Sequence, residues 1–193
     1  VFALAATGDE PESNLGMEWH VIAELPGTEG FGGPLVGVHK GALIVAGGAN
    51  FPETKPWEGG QKVWHDDIYV LEKNEGAYEW LTGFTLEHPL GYSGVVSTDI
   101  GIVCIGGSDG QRCYSDVFVL KWNSKSKAVD IEEFPSLPIP SCCGTAAQVG
   151  EKIYYLGGQN EQNDAIATKD FFCLDMGQYG TEGFRWKRME PWN

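Results

Sequence analysis

The stretch Ala42-Leu43-Ile44-Val45-Ala46-Gly47-Gly48 decides the fold, because its pattern is written three times. An apolar run ending in Gly-Gly returns as Ile102-Val103-Cys104-Ile105-Gly106-Gly107 and as Ile153-Tyr154-Tyr155-Leu156-Gly157-Gly158. The diglycines stand 59 and then 51 residues apart. After each, a polar loop leads to an Asp that opens a second apolar run: Asp67-Ile68-Tyr69-Val70-Leu71, Asp116-Val117-Phe118-Val119-Leu120 and Asp170-Phe171-Phe172-Cys173-Leu174. Trp80 and Trp186 follow at similar places, and residues 129–134 take that role in the middle unit. Landmarks recurring in one order mark internal repeats, so the chain is an array of similar units.

Short runs of β-branched and aromatic residues bounded by Gly, Pro, Asn and Asp are strand signals, and no run keeps the 3.6-residue period of an ordinary amphipathic helix. Each unit is therefore expected to be a small antiparallel sheet. The diglycine ends its second strand, the Asp opens its third and the Trp lies on its fourth. Residues 33–38, 94–98 and 144–149 supply the first strands. A diglycine at a strand end suits a crowded turn, since glycine takes positive φ and lets another backbone come close. A phosphate-cradling loop would need a following Lys-Ser/Thr and a helix, and neither is present.

The 193 residues carry 27 acidic and 13 basic side chains, a net charge of −14. Without a Lys/Arg-rich run to offset this, nucleic acid and anionic membrane surfaces are unfavourable partners. At 42% apolar and 12% aromatic residues the chain is too hydrophobic to be a disordered acidic segment. No apolar run approaches the ~20 residues of a membrane-spanning helix. The opening Val1-Phe2-Ala3-Leu4-Ala5-Ala6-Thr7-Gly8 reads as the tail of a secretory signal or, equally, as a terminal strand. A periplasmic or secreted location is the expectation from the first reading, and a cytoplasmic one from the second.

Five cysteines without a C-x-x-C spacing support neither a zinc site nor a thioredoxin-type motif. Cys104 and Cys173 sit inside apolar runs as small hydrophobes. A bridge between the adjacent Cys142 and Cys143 would be strained, so reduced thiols are expected. His65-Asp66-Asp67 offers three consecutive metal-ligand types, but neighbours in extended chain point to opposite faces, and no metal is expected.

The diglycine, the spaced Asp and the late Trp resemble kelch repeats across nearly all of residues 19–187. That resemblance implies an all-β fold, a kelch-type β-propeller with about three four-stranded blades present, a fragment of a six-bladed ring. The organisation it implies is an N-terminal tail or signal remnant over 1–18, a ring-closing strand over 19–26, and blades over 27–83, 84–138 and 139–193. The remaining blades, or a second copy, would complete the ring.

Antiparallel order alone puts the loop between second and third strands on the same face as the links between blades. That face collects residues 50–64, 108–114 and 159–168 with the links 26–32, 89–93 and 138–143, and is the default binding face. From diglycine to Asp the units span 20, 10 and 13 residues, so the first loop is the long one. Its aromatics, amide and carboxylate suit a sugar, whose apolar face lies on flat rings while polar tips take the hydroxyls. Equally, its Trp residues would pack on the neighbouring blade.

Gly-Gly-Ala-Asn-Phe-Pro, then Pro-Trp-Glu-Gly-Gly-Gln-Lys, then Asp-Asp-Ile-Tyr-Val-Leu, within residues 47–71, are similar to the bacterial sialic acid mutarotases, or N-acetylneuraminate epimerases, in their cyclically permuted branch. The resemblance implies an exported six-bladed propeller that interconverts the anomers of N-acetylneuraminate, with its catalytic Glu and Arg on a blade outside these residues. Anomer exchange opens a cyclic hemiketal by taking the proton of the anomeric hydroxyl while protonating the ring oxygen. It needs a general base, a general acid and a cation for the sugar carboxylate, and no metal or redox cofactor. Within the chain, Glu58 is the candidate acid/base, and Asn50, Phe51, Trp57 and Arg112 are candidate substrate contacts, against the reading of Glu58 and Arg112 as solvated loop charges. The alternative function is a non-enzymatic kelch module whose loop face binds a protein partner, because propellers host both.

Overall fold

The computed structural model describes residues 18–27, 29–161 and 166–191. The signal-like opening and all of the 1–18 tail but Glu18 lie outside the described residues. Among the described residues, three four-stranded antiparallel sheets follow one another along the chain. Blade 1 holds β1 (Leu35–His39) and β2 (Ala42–Ala46); β3 (Ala49–Asn50) and β4 (Val63–Trp64) pair with each other inside its long loop; β5 (Asp67–Asn74) and β6 (Ala77–Thr85) complete it. Blade 2 is β7 (Gly94–Thr98), β8 (Gly101–Ile105), β9 (Val117–Asn123) and β10 (Ala128–Phe134). Blade 3 is β11 (Thr145–Val149), β12 (Lys152–Leu156), β13 (Phe171–Asp175) and β14 (Lys187–Arg188). Helical structure among the described residues is confined to single 3₁₀ turns at Pro56–Glu58 and Met176–Gln178.

The strands stand where the repeats put them, with small shifts. The first and third blades open at Leu35 and Thr145, after the expected starts, because positive φ at Gly33 and Cys143 bends the chain just before the ladder. Trp186 precedes the short β14 rather than lying on it, and its indole Nε1 donates to Pro135 O at 2.9 Å, reaching back to the end of blade 2.

Two apolar layers join the blades. Ile44, Ala46, Ile68 and Val70 of blade 1 meet Ile102, Cys104, Leu120 and Trp122 of blade 2. Val103, Ile105, Val117 and Val119 on the opposite face of blade 2 meet Ile153, Tyr155, Phe172 and Leu174 of blade 3. Alternate residues of β8 thus serve two different layers, so a near-continuous apolar run such as Ile102–Ile105 is required. Every residue of β8 is buried.

The diglycines are the joints of this array. Gly47, Gly106 and Gly157 each donate their amide to the carbonyl of the repeated Asp, at 2.9 Å in all three blades. The second glycine reaches the next blade: Gly48 donates to Leu90 O and Gly107 to Ser141 O, both at 2.8 Å. A Cβ on Gly47 or Gly106 would run into those same carbonyl oxygens. Residues 19–25 run without a ladder partner among the described residues, tied to blade 1 by the Trp80 indole, which donates to Ala23 O at 3.0 Å.

Candidate functional site

The loops between second and third strands and the links between blades do meet on one face. Backbone bridges join Gly32 to Ala49, Gly91 to Ser108, and Cys142 to Gln159, one in each blade. Beside them Gly33, Tyr92 and Cys143 occupy equivalent left-handed positions, with φ of 62°, 58° and 60°. The Tyr92 amide donates to Gly33 O, and the Cys143 amide to Tyr92 O, each at 2.8 Å. These bonds run from blade to blade and form a continuous backbone rim.

The long loop of blade 1 leans over this rim. β4 pairs with β3 inside this loop and carries Trp64, whose ring meets the Tyr92 ring edge to face at 5.4 Å. Gly110, in the loop of blade 2, has no room for a Cβ because the Trp64 indole fills that space. Lys62 is held here as a fixed cation. Its Nζ donates to the Tyr92 hydroxyl at 2.6 Å and lies 4.3 Å from the Tyr92 ring centroid and 4.8 Å from that of Trp64. Two ring faces and one hydroxyl hold the ammonium in place while leaving it open to solvent.

Of the residues singled out from sequence, Asn50 belongs to the same loop, its Oδ1 2.8 Å from His65 Nε2. His65 is thereby engaged as a loop strut, and its ring meets Phe31 edge to face at 5.1 Å. Phe51 is half-buried just after β3. Trp57 and Glu58 project from the 3₁₀ turn, which buries no side chain, and Trp57 is 80% exposed. Among the described residues no group of His, Cys, Asp and Glu side chains converges as a metal ion would require.

Arg112 belongs to a second feature, a groove of about 940 Å³ between blades 1 and 2, lined also by Glu87, His88, Tyr114 and Glu133. The Arg112 guanidinium lies 4.6 Å from the Tyr114 ring centroid. A hydrogen bond with Tyr114, then the negative charges of Asp109 and Asp116, hold Arg112 above its ordinary pKa. Burial would raise the Asp109 carboxyl, but the Tyr114 hydroxyl at 2.6 Å and the amides of Gln111 and Arg112 outweigh it and bring it below its usual value. The His88 ring lies against that of Tyr114, tilted by 40° with centroids 4.5 Å apart, and has a buried Nε2 without a hydrogen-bond partner among the described residues.

Sequence reasoning missed Lys62, Trp64 and Tyr92 as a unit. The signal was present in part: Lys62 and Trp64 flank Val63 in the unusual loop, but their partner Tyr92 lies 30 residues from Lys62.

No protein-family model matches the chain. It is 30% identical to an N-acetylneuraminate epimerase of Haemophilus influenzae (strain 86-028NP), the match covering 60% of this chain and 34% of that protein. The N-acetylneuraminate epimerase of Vibrio cholerae serotype O1 (strain ATCC 39315 / El Tor Inaba N16961) is also 30% identical, over 64% of this chain and 36% of its own length. The one of Yersinia pestis (strain Pestoides F) is 31% identical, over 55% and 30%. The chain resembles the N-acetylneuraminate epimerases. It spans about a third of the length of these curated relatives.

A solved structure titled "Structure of YjhT" superposes with a TM-score of 0.68 at 11% identity, covering 90% of this chain and 56% of that one. That likeness is one of fold. Together with three successive blades joined by Gly-Gly and Asp, it shows a kelch-type β-propeller architecture, of which the chain supplies three blades.

Proposed function

We propose that the protein containing this chain is a sugar mutarotase that interconverts the anomers of N-acetylneuraminate or a related acidic sugar. The observation that carries this reading is the rim cluster of Lys62, Trp64 and Tyr92, in a chain that resembles proteins named for that substrate. An acidic sugar presents a carboxylate, a ring with an apolar face, and hydroxyls. Lys62 offers the cation despite the chain's net charge of −14, the Trp64 and Trp57 rings offer flat surfaces, and Asn50 with Phe51 lines the approach. Arg112 is a second cation for the carboxylate, and Glu58 an acid/base within reach of solvent.

In this reading the chain binds and orients the sugar while a base takes the anomeric hydroxyl's proton and an acid protonates the ring oxygen. The remaining acid/base groups belong to further blades. The outward faces of the end blades fit such additions, or a second copy: Val36 and Val38 on β1 and Val149 on β11 are exposed. Residues 19–26 would then close the ring. A bacterial periplasm is the setting that goes with this reading, and no helix among the described residues is long and apolar enough to cross a membrane.

The test is NMR of anomer exchange on freshly released N-acetylneuraminate with the full-length protein. Acceleration over buffer is the expected result; an unchanged rate removes this sugar as substrate. The second reading, a protein-binding module, draws on the 80% exposure of Trp57, a residue type that anchors interfaces.

A further inference from the structure

We propose that Cys113 and Cys142 form a reversible disulfide that staples the loop of blade 2 to the link entering blade 3. Their Sγ atoms lie 2.6 Å apart, well inside van der Waals contact, and both residues are buried. The backbone brings them together. Beside Cys113, the Tyr114 carbonyl accepts from the Ser141 amide at 2.9 Å; beside Cys142, the Ser141 carbonyl accepts from the Gly107 amide at 2.8 Å. The two cysteines are therefore next-door residues on two segments already zipped together.

The repeat supplies an independent argument. At the preceding blade junction, Leu90 donates to His65 O and accepts from Gly48, the same pattern one unit earlier. The positions that correspond to Cys113 and Cys142 there are Trp64 and Gly91. They too are in contact, since a Cβ on Gly91 would come within 3.2 Å of the Trp64 ring. This pair of positions is a side-chain joint in both junctions. An indole laid on a glycine fills the first, and two thiols fill the second.

The oxidant is a small-molecule disulfide such as oxidised glutathione. The Cys113 thiol gives its proton to water, and its thiolate attacks one sulfur of the oxidant. The oxidant's S–S bond breaks, a mixed disulfide forms on Cys113, and one thiolate leaves and takes up a proton. Cys142 then loses its proton, attacks the Cys113 sulfur and expels the second thiol. Two protein thiols are oxidised by two electrons, and one oxidant disulfide is reduced to two thiols. Burial pushes both protein thiols up, Cys142 to about 12, so the exchange is slow at neutral pH and accelerates as pH rises. Cys143 is exposed, and its thiol also lies within hydrogen-bond reach of Cys142, but the sulfur set against Cys113 Sγ is that of Cys142, so the pairing selects Cys142. The staple would immobilise the loop that carries Asp109 and Arg112, one wall of the groove between blades 1 and 2.

The test is disulfide mapping on the folded full-length protein, incubated with oxidised glutathione at about pH 8.5, blocked with a thiol reagent and digested. The expected product is a peptide pair joining Cys113 to the peptide that contains Cys142, present in Cys143→Ser, absent in Cys142→Ser, and lost on adding reductant. Hydrogen exchange at the amides of residues 108–114 should slow on oxidation. Complete blocking of Cys113 and Cys142 after prolonged oxidation, a link that persists in Cys142→Ser, or unchanged exchange in the loop would each overturn the staple.

Discussion

The amide of Gly48 donates across the blade boundary to the carbonyl of Leu90 at 2.8 Å, and the same oxygen occupies the space that a side chain on Gly47 would need. One carbonyl thus explains both halves of the repeated Gly-Gly: the second glycine bonds it, and the first makes room for it.

Gly47→Ala should therefore cost about 2–5 kcal/mol, the sum of left-handed strain and a backbone collision that cannot relax. Gly41 also has positive φ, at 77°, but nothing lies within 4 Å of its missing Cβ. Gly41→Ala should cost only about 1–2 kcal/mol. Urea denaturation of the two variants compares them; equal losses would mean that strain alone, and not the blade contact, dictates the glycine.

Lys62→Met keeps the stem over Trp64 and Tyr92 but removes the charge. If Lys62 takes the sugar carboxylate, KM for N-acetylneuraminate should rise about tenfold or more, as for loss of a charge-assisted hydrogen bond, with kcat less affected. Saturation kinetics of anomer exchange by NMR gives both constants. An unchanged KM would assign the carboxylate to another cation.

His39 is buried, and its Nδ1 accepts the backbone amide of Trp122 at 2.9 Å, which only a ring unprotonated at that nitrogen can do. Burial first, then the charges of Lys40 and Lys121, hold its pKa below 6.5. A depressed folded-state pKa means that the unfolded chain binds the proton more readily, so this contribution to stability is complete above about pH 6.5 and is lost as pH falls toward the folded value. His39→Asn retains an acceptor without that titration. The slope of stability against pH between about 7 and 5 should be shallower in the variant; identical slopes would place the titration elsewhere.

Tyr155 is fully buried in the layer between blades 2 and 3, and its hydroxyl donates to Ser141 Oγ at 2.9 Å. Tyr155→Phe should cost about 1 kcal/mol, the hydrogen bond alone. Tyr155→Ala should cost about 3–5 kcal/mol, because the layer between blades 2 and 3 loses one of its largest fully buried side chains. Thermal melts of the full-length protein order the two.

The repeat was legible because kelch landmarks are local. The run Ile102–Ile105, the Gly-Gly after it and Asp116 lie within one hairpin, and each is demanded by backbone geometry that any blade shares. Strand order, the shared loop face and the distinctive loop of blade 1 all followed from those positions. Asn50 and Trp57 were visible as unusual residues in that loop, but residue type alone does not say which way a loop leans. The loop leans so that Trp64 settles on Tyr92 and Gly110, while Trp57 stays in solvent.

What the sequence determined by itself is the unit: a four-stranded sheet, the order of its strands and its glycine joints. These arise from alternation and from short-range backbone sterics. What only the tertiary structure decided is which residues of different units touch: Lys62 with Tyr92, Cys113 with Cys142, His39 with Trp122. Those contacts depend on the rotation from one blade to the next, which is set by how side chains fill the layers between sheets, and no spacing along the chain records it.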